Sequence, residues 1–249
     1  TDKNFLKSIV EKSGVTADDT VVEIGAGAGT LTAAIAEKAK RVIAFEIDTS
    51  LEPVLKNTLS EFDNVELIFG DFMQAKDVSE TACGDYKVIA NLPYYITTPV
   101  LFKLMEDTAV LPKTISVMVQ KEVADRMCAK PSTKDYGALT VAIDARFSVK
   151  KLVNVSRDMF YPVPNVDSAV VLMTAKDVGE SVDKKKFSAL VRAAFAMRRK
   201  TLANNLTAAF SLSRTACEEA LEKCGLPLAV RGEALSTQQF EMLAKTLFA

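Results

Sequence analysis

The chain has no histidine. That absence excludes Ser-His-Asp and Cys-His nucleophilic machinery, His-ligated zinc or iron, and imidazole general bases. Its four cysteines, Cys83, Cys128, Cys217 and Cys224, never fall as Cys-x-x-Cys, so neither a zinc knuckle nor a dithiol redox pair is expected. They read as reduced, mostly buried thiols, and no metal site is expected. No apolar run reaches the 18 or so residues of a membrane helix, and the first residues form no signal-peptide hydrophobic region. A soluble, cytoplasmic protein is expected. The chain starts at Thr1 without an initiator Met, as a trimmed fragment would.

Charge of one sign is also missing from the total: 31 Lys+Arg stand against 32 Asp+Glu in 249 residues, 49% of them apolar. The balance is uneven along the chain. Residues 176–249 hold 12 basic and 8 acidic side chains, and the first 175 hold 19 and 24. Lys184, Lys185, Lys186, Arg192, Arg198, Arg199 and Lys200 follow one another with no acid among them, a basic stripe hidden by the neutral sum.

Residues 2–13 place Phe5, Leu6, Ile9 and Val10 on one helical face, with Asp2 as cap and Gly14 as stop. Thr20–Ile24 then reads as a short apolar strand entering Gly25-Ala26-Gly27-Ala28-Gly29. A helical segment over 31–39 and a second strand, 42–45, ending at Glu46 complete a βαβ unit. The alternation continues with a helix near 50–60 and strands at 65–69, 87–90 and 115–119. Further strands are expected near 138–150 and 168–174. Short strands apolar on both faces, separated by helices, predict a mostly parallel sheet covered on both sides. Residues 1–175 are read as one doubly wound α/β domain. From about 183 the apolar period becomes helical, and Thr215 with Glu218 and Ser236 with Gln239 have capping-box spacing. Residues 176–249 are read as a small all-helical domain.

The glycine turn lets a ligand approach the backbone, and Glu46, 21 residues after Gly25, is placed to take two ribose hydroxyls. A dinucleotide site would want Gly or Ala at position 30, where Thr30 stands. Glu23 would repel a pyrophosphate but suits a cationic amino-acid end, which favours S-adenosylmethionine over NAD. The competing reading is a tight strand-to-helix connection with no ligand. Asp71, at the end of the third strand, can accept from an adenine amino group or simply cap a helix.

Asn91-Leu92-Pro93-Tyr94, after the fourth strand, is the most specific segment. An Asn oxygen and an adjacent backbone carbonyl, held by a rigid Pro, can accept both hydrogens of an exocyclic amine while an aromatic ring stacks on the base. The lone pair of that amine is delocalised into the ring, so acceptors that favour a pyramidal nitrogen expose it to a methyl group. The plainer reading is a Pro turn; Tyr95 reads equally as a core side chain. In the run from Phe160 to Ser168, Phe160 can form the second wall of a pocket for an extruded base, or the run is a Pro-rich loop. Arg198-Arg199-Lys200 reads as a solvated helix face or as a phosphate contact.

Together these segments resemble the ribosomal RNA adenine dimethyltransferase family, most closely its bacterial small-subunit branch, the kasugamycin-sensitivity methyltransferases. The resemblance spans nearly the whole chain: Val-Glu-Ile-Gly-Ala-Gly-Ala-Gly-Thr-Leu-Thr at 22–32, Phe-Glu-Ile-Asp at 45–48, Gly-Asp at 70–71, Asn-Leu-Pro-Tyr at 91–94, Phe-x-Pro-x-Pro-x-Val-x-Ser-Ala-Val-Val at 160–171, Arg-Arg-Lys-Thr-Leu at 198–202 and Arg-x-Glu-x-Leu-Ser at 231–236.

The resemblance implies a Rossmann-like class I methyltransferase fold and S-adenosylmethionine as methyl donor. Glu23, Gly25, Gly27, Gly29, Glu46, Ile47, Asp71, Phe72 and Asn91 stand at the cofactor positions, and Asn91, Leu92, Pro93, Tyr94 and Phe160 around the target adenine. It implies transfer of two methyls to N6 of each of two adjacent adenosines in the 3′-terminal hairpin of small-subunit rRNA. Arg198, Arg199 and Lys200 are then RNA contacts, the partner is the small ribosomal subunit, neither DNA nor a membrane is engaged, and a monomer is the default. Two departures stand out. The family's N-terminal Gln-x-Phe-Leu segment has no counterpart at the required spacing, since Lys3-Asn4-Phe5-Leu6 lies too close to the glycine turn and better matches the following helix; removal of that segment is expected to weaken cofactor affinity. Tyr95 stands where relatives often carry Asn. The alternatives are a resistance methyltransferase acting on large-subunit rRNA, a binding module that has lost catalysis, and, remotely, a nicotinamide oxidoreductase.

Overall fold

A computed structural model describes residues 3–159, 163–177 and 183–248. The chain forms two compact units, residues 1–124 with 149–175 and residues 125–148 with 176–249.

The first unit is built on β1 (Thr20–Ile24), β2 (Arg41–Glu46), β3 (Val65–Phe69), β4 (Tyr86–Ala90), β5 (Thr114–Gln120), β6 (Phe147–Val155) and β7 (Ser168–Ala175). They lie in the order β3-β2-β1-β4-β5-β7-β6. The first five strands pair in parallel, and β7 runs antiparallel to β5. Stepping outward from β1 in both directions makes the sheet doubly wound, with a switch point at the carboxyl ends of β1 and β4. Its helices are α1 (Lys3–Lys12), α2 (Thr30–Ala36), α3 (Glu52–Thr58), α4 (Val78–Ala82) and α5 (Tyr94–Glu106). Val21, Val42, Ile89, Met118 and Val170 of the sheet bury against Leu6 and Ile9 of α1 and Leu31 and Ile35 of α2. A smaller core gathers Ala26, Ala44, Leu55 and Leu59. Burying strands on both faces explains their uninterrupted apolar sequence.

The second unit holds α7 (Ala138–Asp144), α8 (Lys184–Ala194), α9 (Leu202–Phe210), α10 (Arg214–Lys223) and α11 (Thr237–Leu247); α6 (Lys121–Met127) spans the division in the chain. Its core joins Tyr136 and Val141 to Phe187, Leu190, Leu206, Leu221 and Phe240. The segment 125–148 therefore packs with the tail, where the sequence suggested a single cut at 175. Two further differences have local causes. Residues 138–144, expected within a strand, are helical: Leu139, Thr140, Val141, Ala142 and Ile143 are all buried, and a short helix with five buried residues in a row shows no period that separates it from a strand. The cap of α10 is Ser213, whose hydroxyl accepts from Ala216 N, rather than Thr215. Ser236 and Gln239 do form both halves of a capping box. Cys83 and Cys128 are exposed and only Cys217 and Cys224 buried, so the thiols are not mostly internal.

Candidate active site

Three strand ends converge on the glycine turn. Gly25, Gly27 and Gly29 have φ of 81°, 57° and 80°, the left-handed region that side chains rarely tolerate. A Cβ on Gly25 would stand 3.1 Å from Leu92 Cδ2, so the turn packs directly on the Asn91–Tyr94 segment; a Cβ on Gly27 would meet nothing within 4 Å, which leaves that backbone open to a ligand. A Cβ on Gly29 would meet Leu55 Cδ2 at 3.0 Å, so this glycine serves packing against α3.

Glu46 is buried at the end of β2, yet its carboxylate stays hydrogen-bonded: Oε2 accepts from Gly27 N at 2.7 Å and Oε1 from Asp48 N at 2.9 Å. It thus ties the second strand end to the open part of the turn. Ile47, next along, is 65% exposed, an apolar platform at the rim. Asp71 caps the short turn Phe72–Gln74, with Oδ1 accepting from Met73 N at 2.8 Å. The capping alternative is therefore realised, with one carboxylate oxygen left over. Phe72 is buried edge-on against Phe45, ring centroids 5.2 Å apart, so its ring serves the core.

Glu23 is fully buried. It pairs in register with Ala44 and Ile89 and shares the face of Val21, toward α1 and α2. Neither carboxyl oxygen has a hydrogen-bond partner among the described residues, and Thr32 Oγ1 is likewise unsatisfied. Burial pushes the Glu23 carboxyl up to about 8, the Glu46 carboxylate adds to the rise, and the Thr32 hydroxyl opposes it. An orphaned acid beneath the glycine turn is a polar group whose cost of burial a cationic partner would offset.

Asn91 follows β4 and is exposed, with no hydrogen bond among the described residues. The Pro93 carbonyl is already used by Ile96 N at 3.1 Å and Thr97 Oγ1 at 3.2 Å in the first turn of α5. Leu92, its side chain buried, keeps the carbonyl that no described hydrogen bond consumes. Tyr94 is half-buried, and its hydroxyl lies 2.7 Å from Ser168 Oγ. That contact joins the segment at 91–94 to the end of the run from Phe160 to Ser168. Phe160 itself lies outside the described residues. Tyr95 is 84% exposed and is no part of the core.

Sequence reasoning passed over Ser116. Its hydroxyl is buried and unpartnered, it pairs with Ile89, and with Asn91, Leu6, Leu31 and Met118 it lines a small apolar pocket. The available signal was a lone polar residue inside the strand Ile115–Val119. In the other unit, Arg199 and Lys200 are exposed with no side-chain partner among the described residues, whereas Arg198 Nε pairs with Glu233 Oε2 at 2.9 Å.

The family profile of ribosomal RNA adenine dimethylase matches residues 1–245. The ribosomal RNA small subunit methyltransferase A of Bacillus licheniformis is 44% identical over 99% of this chain and 87% of its own, and that of Shouchella clausii is 44% identical over 100% and 86%. Among solved structures, a dimethyladenosine transferase from Plasmodium falciparum superposes with a TM-score of 0.83 at 26% identity, covering 98% of this chain and 94% of that one. The 23S rRNA methyltransferase ErmE does so with 0.71 at 25% identity, covering 100% and 99%.

Proposed function

The chain belongs to the ribosomal RNA adenine dimethylase family, and from that premise we propose that it dimethylates N6 of two adjacent adenosines in the 3′-terminal hairpin of small-subunit rRNA during ribosome assembly. The observation that carries the proposal is the Asn91–Tyr94 segment, packed on the glycine turn through Leu92 and tied by Tyr94 to Ser168. The small subunit is favoured over the large one by relatives of 44% identity that bear its name, against 25% for the large-subunit enzyme.

S-adenosylmethionine is the methyl donor, and the residues fit it. Gly27 leaves open backbone, Glu46 stands where ribose hydroxyls would be taken, Ile47 offers an apolar face, Asp71 keeps a carboxylate oxygen, and Glu23 is a buried acid that a cationic amino-acid end would draw into ionising. When bound, the donor supplies an electrophilic methyl on a sulfonium. The remaining work belongs to the chain. Asn91 Oδ1 and the Leu92 carbonyl accept the two N6 hydrogens, which draws the nitrogen toward a pyramidal geometry and frees its lone pair. Tyr94 stacks on the adenine, with Phe160 as the opposite wall. Pro93 fixes the turn that presents both acceptors. No imidazole is needed, consistent with a chain that has none.

The same proposal has Arg199 and Lys200 on rRNA phosphates, the enzyme docking as a cytoplasmic monomer, and no role for DNA. Among the described residues no helix is long and apolar enough to cross a membrane. The test is incubation with labelled S-adenosylmethionine and, in parallel, unmodified small subunits and large-subunit RNA, followed by digestion to nucleosides and mass identification. N6,N6-dimethyladenosine from small subunits alone is expected. Label confined to large-subunit RNA would transfer the chain to the other branch.

A further inference from the structure

Arg198, the first residue of the basic triplet, spends its guanidinium inside its own unit. Besides Glu233 Oε2, its terminal nitrogen donates to the carbonyl oxygens of Lys134 at 2.6 Å, Thr133 at 3.4 Å and Tyr136 at 3.5 Å. A guanidinium presents five donors in a fixed fork, and here Nε and one terminal nitrogen hold the fork to Glu233 and the 133–136 carbonyls, while the other terminal nitrogen has no partner among the described residues. Three segments distant in sequence meet at this residue: the loop 130–136, the turn 197–200 between α8 and α9, and the turn 231–233.

Other bonds close the same junction. Ser132, held at φ 65° in the left-handed region, donates its N–H to Glu233 O at 2.8 Å. Thr133 closes the loop onto Lys130 O through its N–H at 3.2 Å and its hydroxyl at 2.7 Å. Leu202 N donates to Val230 O at 2.7 Å. Gly232 passes so near α8 that a Cβ there would lie 2.7 Å from Ala194 O. A non-glycine residue held at positive φ by a long-range bond is strain with a purpose.

These three tied segments carry Lys130, Lys134, Arg199, Lys200 and Arg231, all exposed and none with an ion-pair partner among the described residues. Glu233 is neutralised by Arg198, so Asp135 is the acid left in the loop. Lys130 and Lys134 lie some 65 residues before the basic triplet in sequence, which is why charge counting along the chain passed them over.

We propose that Lys130 and Lys134 are phosphate contacts, forming one RNA-binding surface with Arg199, Lys200 and Arg231, and that Arg198 is the positioning residue that assembles this surface. The inference rests on the rRNA reading above and deepens it. Its chemistry is that of a nucleic-acid backbone: several mobile cations on a rigid frame, able to displace condensed counterions.

Each phosphate contact removed lowers the magnitude of the slope of log K against log salt by about 0.7–0.9. The experiment measures binding of the full chain to unmodified small subunits across a salt series, with melting temperatures of the free proteins. Lys130→Ala with Lys134→Ala should lower the slope by about 1.4–1.8 and leave the melting temperature unchanged. Arg198→Met should lower the melting temperature of the RNA-free protein, and Arg198→Lys should fail to restore it, whereas Arg199→Lys should retain both slope and stability. An unchanged slope for the double lysine variant overturns the surface. So does unaltered binding of that variant to naked rRNA combined with lost binding to subunits, which would assign the loop to a protein partner. An unchanged melting temperature for Arg198→Met, with a slope lowered by a single contact, overturns the positioning role. Dimethyladenosine formed by the unmodified enzyme on the same subunits reports on the rRNA reading separately.

Discussion

Glu23 is the residue on which pH should act. A carboxyl whose ordinary value is 4.5 sits at about 8 in the folded chain because burial disfavours its charge. The folded state then holds a proton that the unfolded state releases, so stability contributed by this group is lost as pH rises from 4.5 and the loss is complete above 8. The amount is at most about 5 kcal/mol, an upper bound for a group that water can reach on local opening. Glu23→Gln cannot ionise. Its melting temperature, without ligand, is expected to fall less between pH 5 and pH 8 than that of the unsubstituted protein. S-adenosylhomocysteine, whose amino-acid end keeps its ammonium, should bind the unsubstituted protein more tightly as pH rises through that window, and the Gln variant without that dependence. Parallel melting curves for the two proteins would show that Glu23 titrates elsewhere. The acid before the glycine turn was legible in the sequence. Its isolation was not, because that depends on which side chains the opposing helix brings, here Thr32 and no cation.

At the scale of elements, the site is a meeting of strand ends, and the strand pattern with its terminal Glu46, Asp71 and Asn91 could be read from apolar runs stopped by polar residues. What the runs could not show is how the ends are fastened. The bond between Tyr94, opening α5, and Ser168, opening β7, joins positions 74 apart. Ser168 is wholly buried while Tyr94 is half-exposed. Tyr94→Phe therefore strands a buried hydroxyl at a cost of about 1–2 kcal/mol, and Ser168→Ala leaves a phenol that water can reach, at a lower cost. Adding Ser168→Ala to Tyr94→Phe should cost little more, so denaturant unfolding of the four proteins should give a coupling of about 1 kcal/mol. Additive losses would mean that the two hydroxyls do not hold each other. Turnover should fall in both single variants, because the ring proposed to stack on the adenine loses its tether. The helix at 138–144 was misjudged at this same scale: five consecutive buried residues, Leu139 to Ile143, carry no amphipathic period.

Over the whole molecule, the division of charge at residue 175 foretold two kinds of surface but misplaced their boundary. Residues 125–148 belong with the tail because Tyr136 and Val141 enter its core, and long-range packing of that kind leaves no mark on local composition. The core clusters described in the two units share no residue, so a ligand held by one should stabilise that one first. At about 100 times its dissociation constant, S-adenosylhomocysteine should add about 2.7 kcal/mol to whichever opening reaction exposes its site. Hydrogen exchange can localise that gain. Added protection is expected at residues 23–32, 46–48, 71–73 and 91–94, and across β1, β2 and β4, whose amides open with the sheet. The amides of α8, α9 and α11 should exchange at unchanged rates, since none of the residues assigned to the cofactor lies in their unit. Equal protection of both sets would mean that the units unfold as one cooperative body. The cofactor would then stabilise the basic surface along with the methylation site, and the two could not be varied independently.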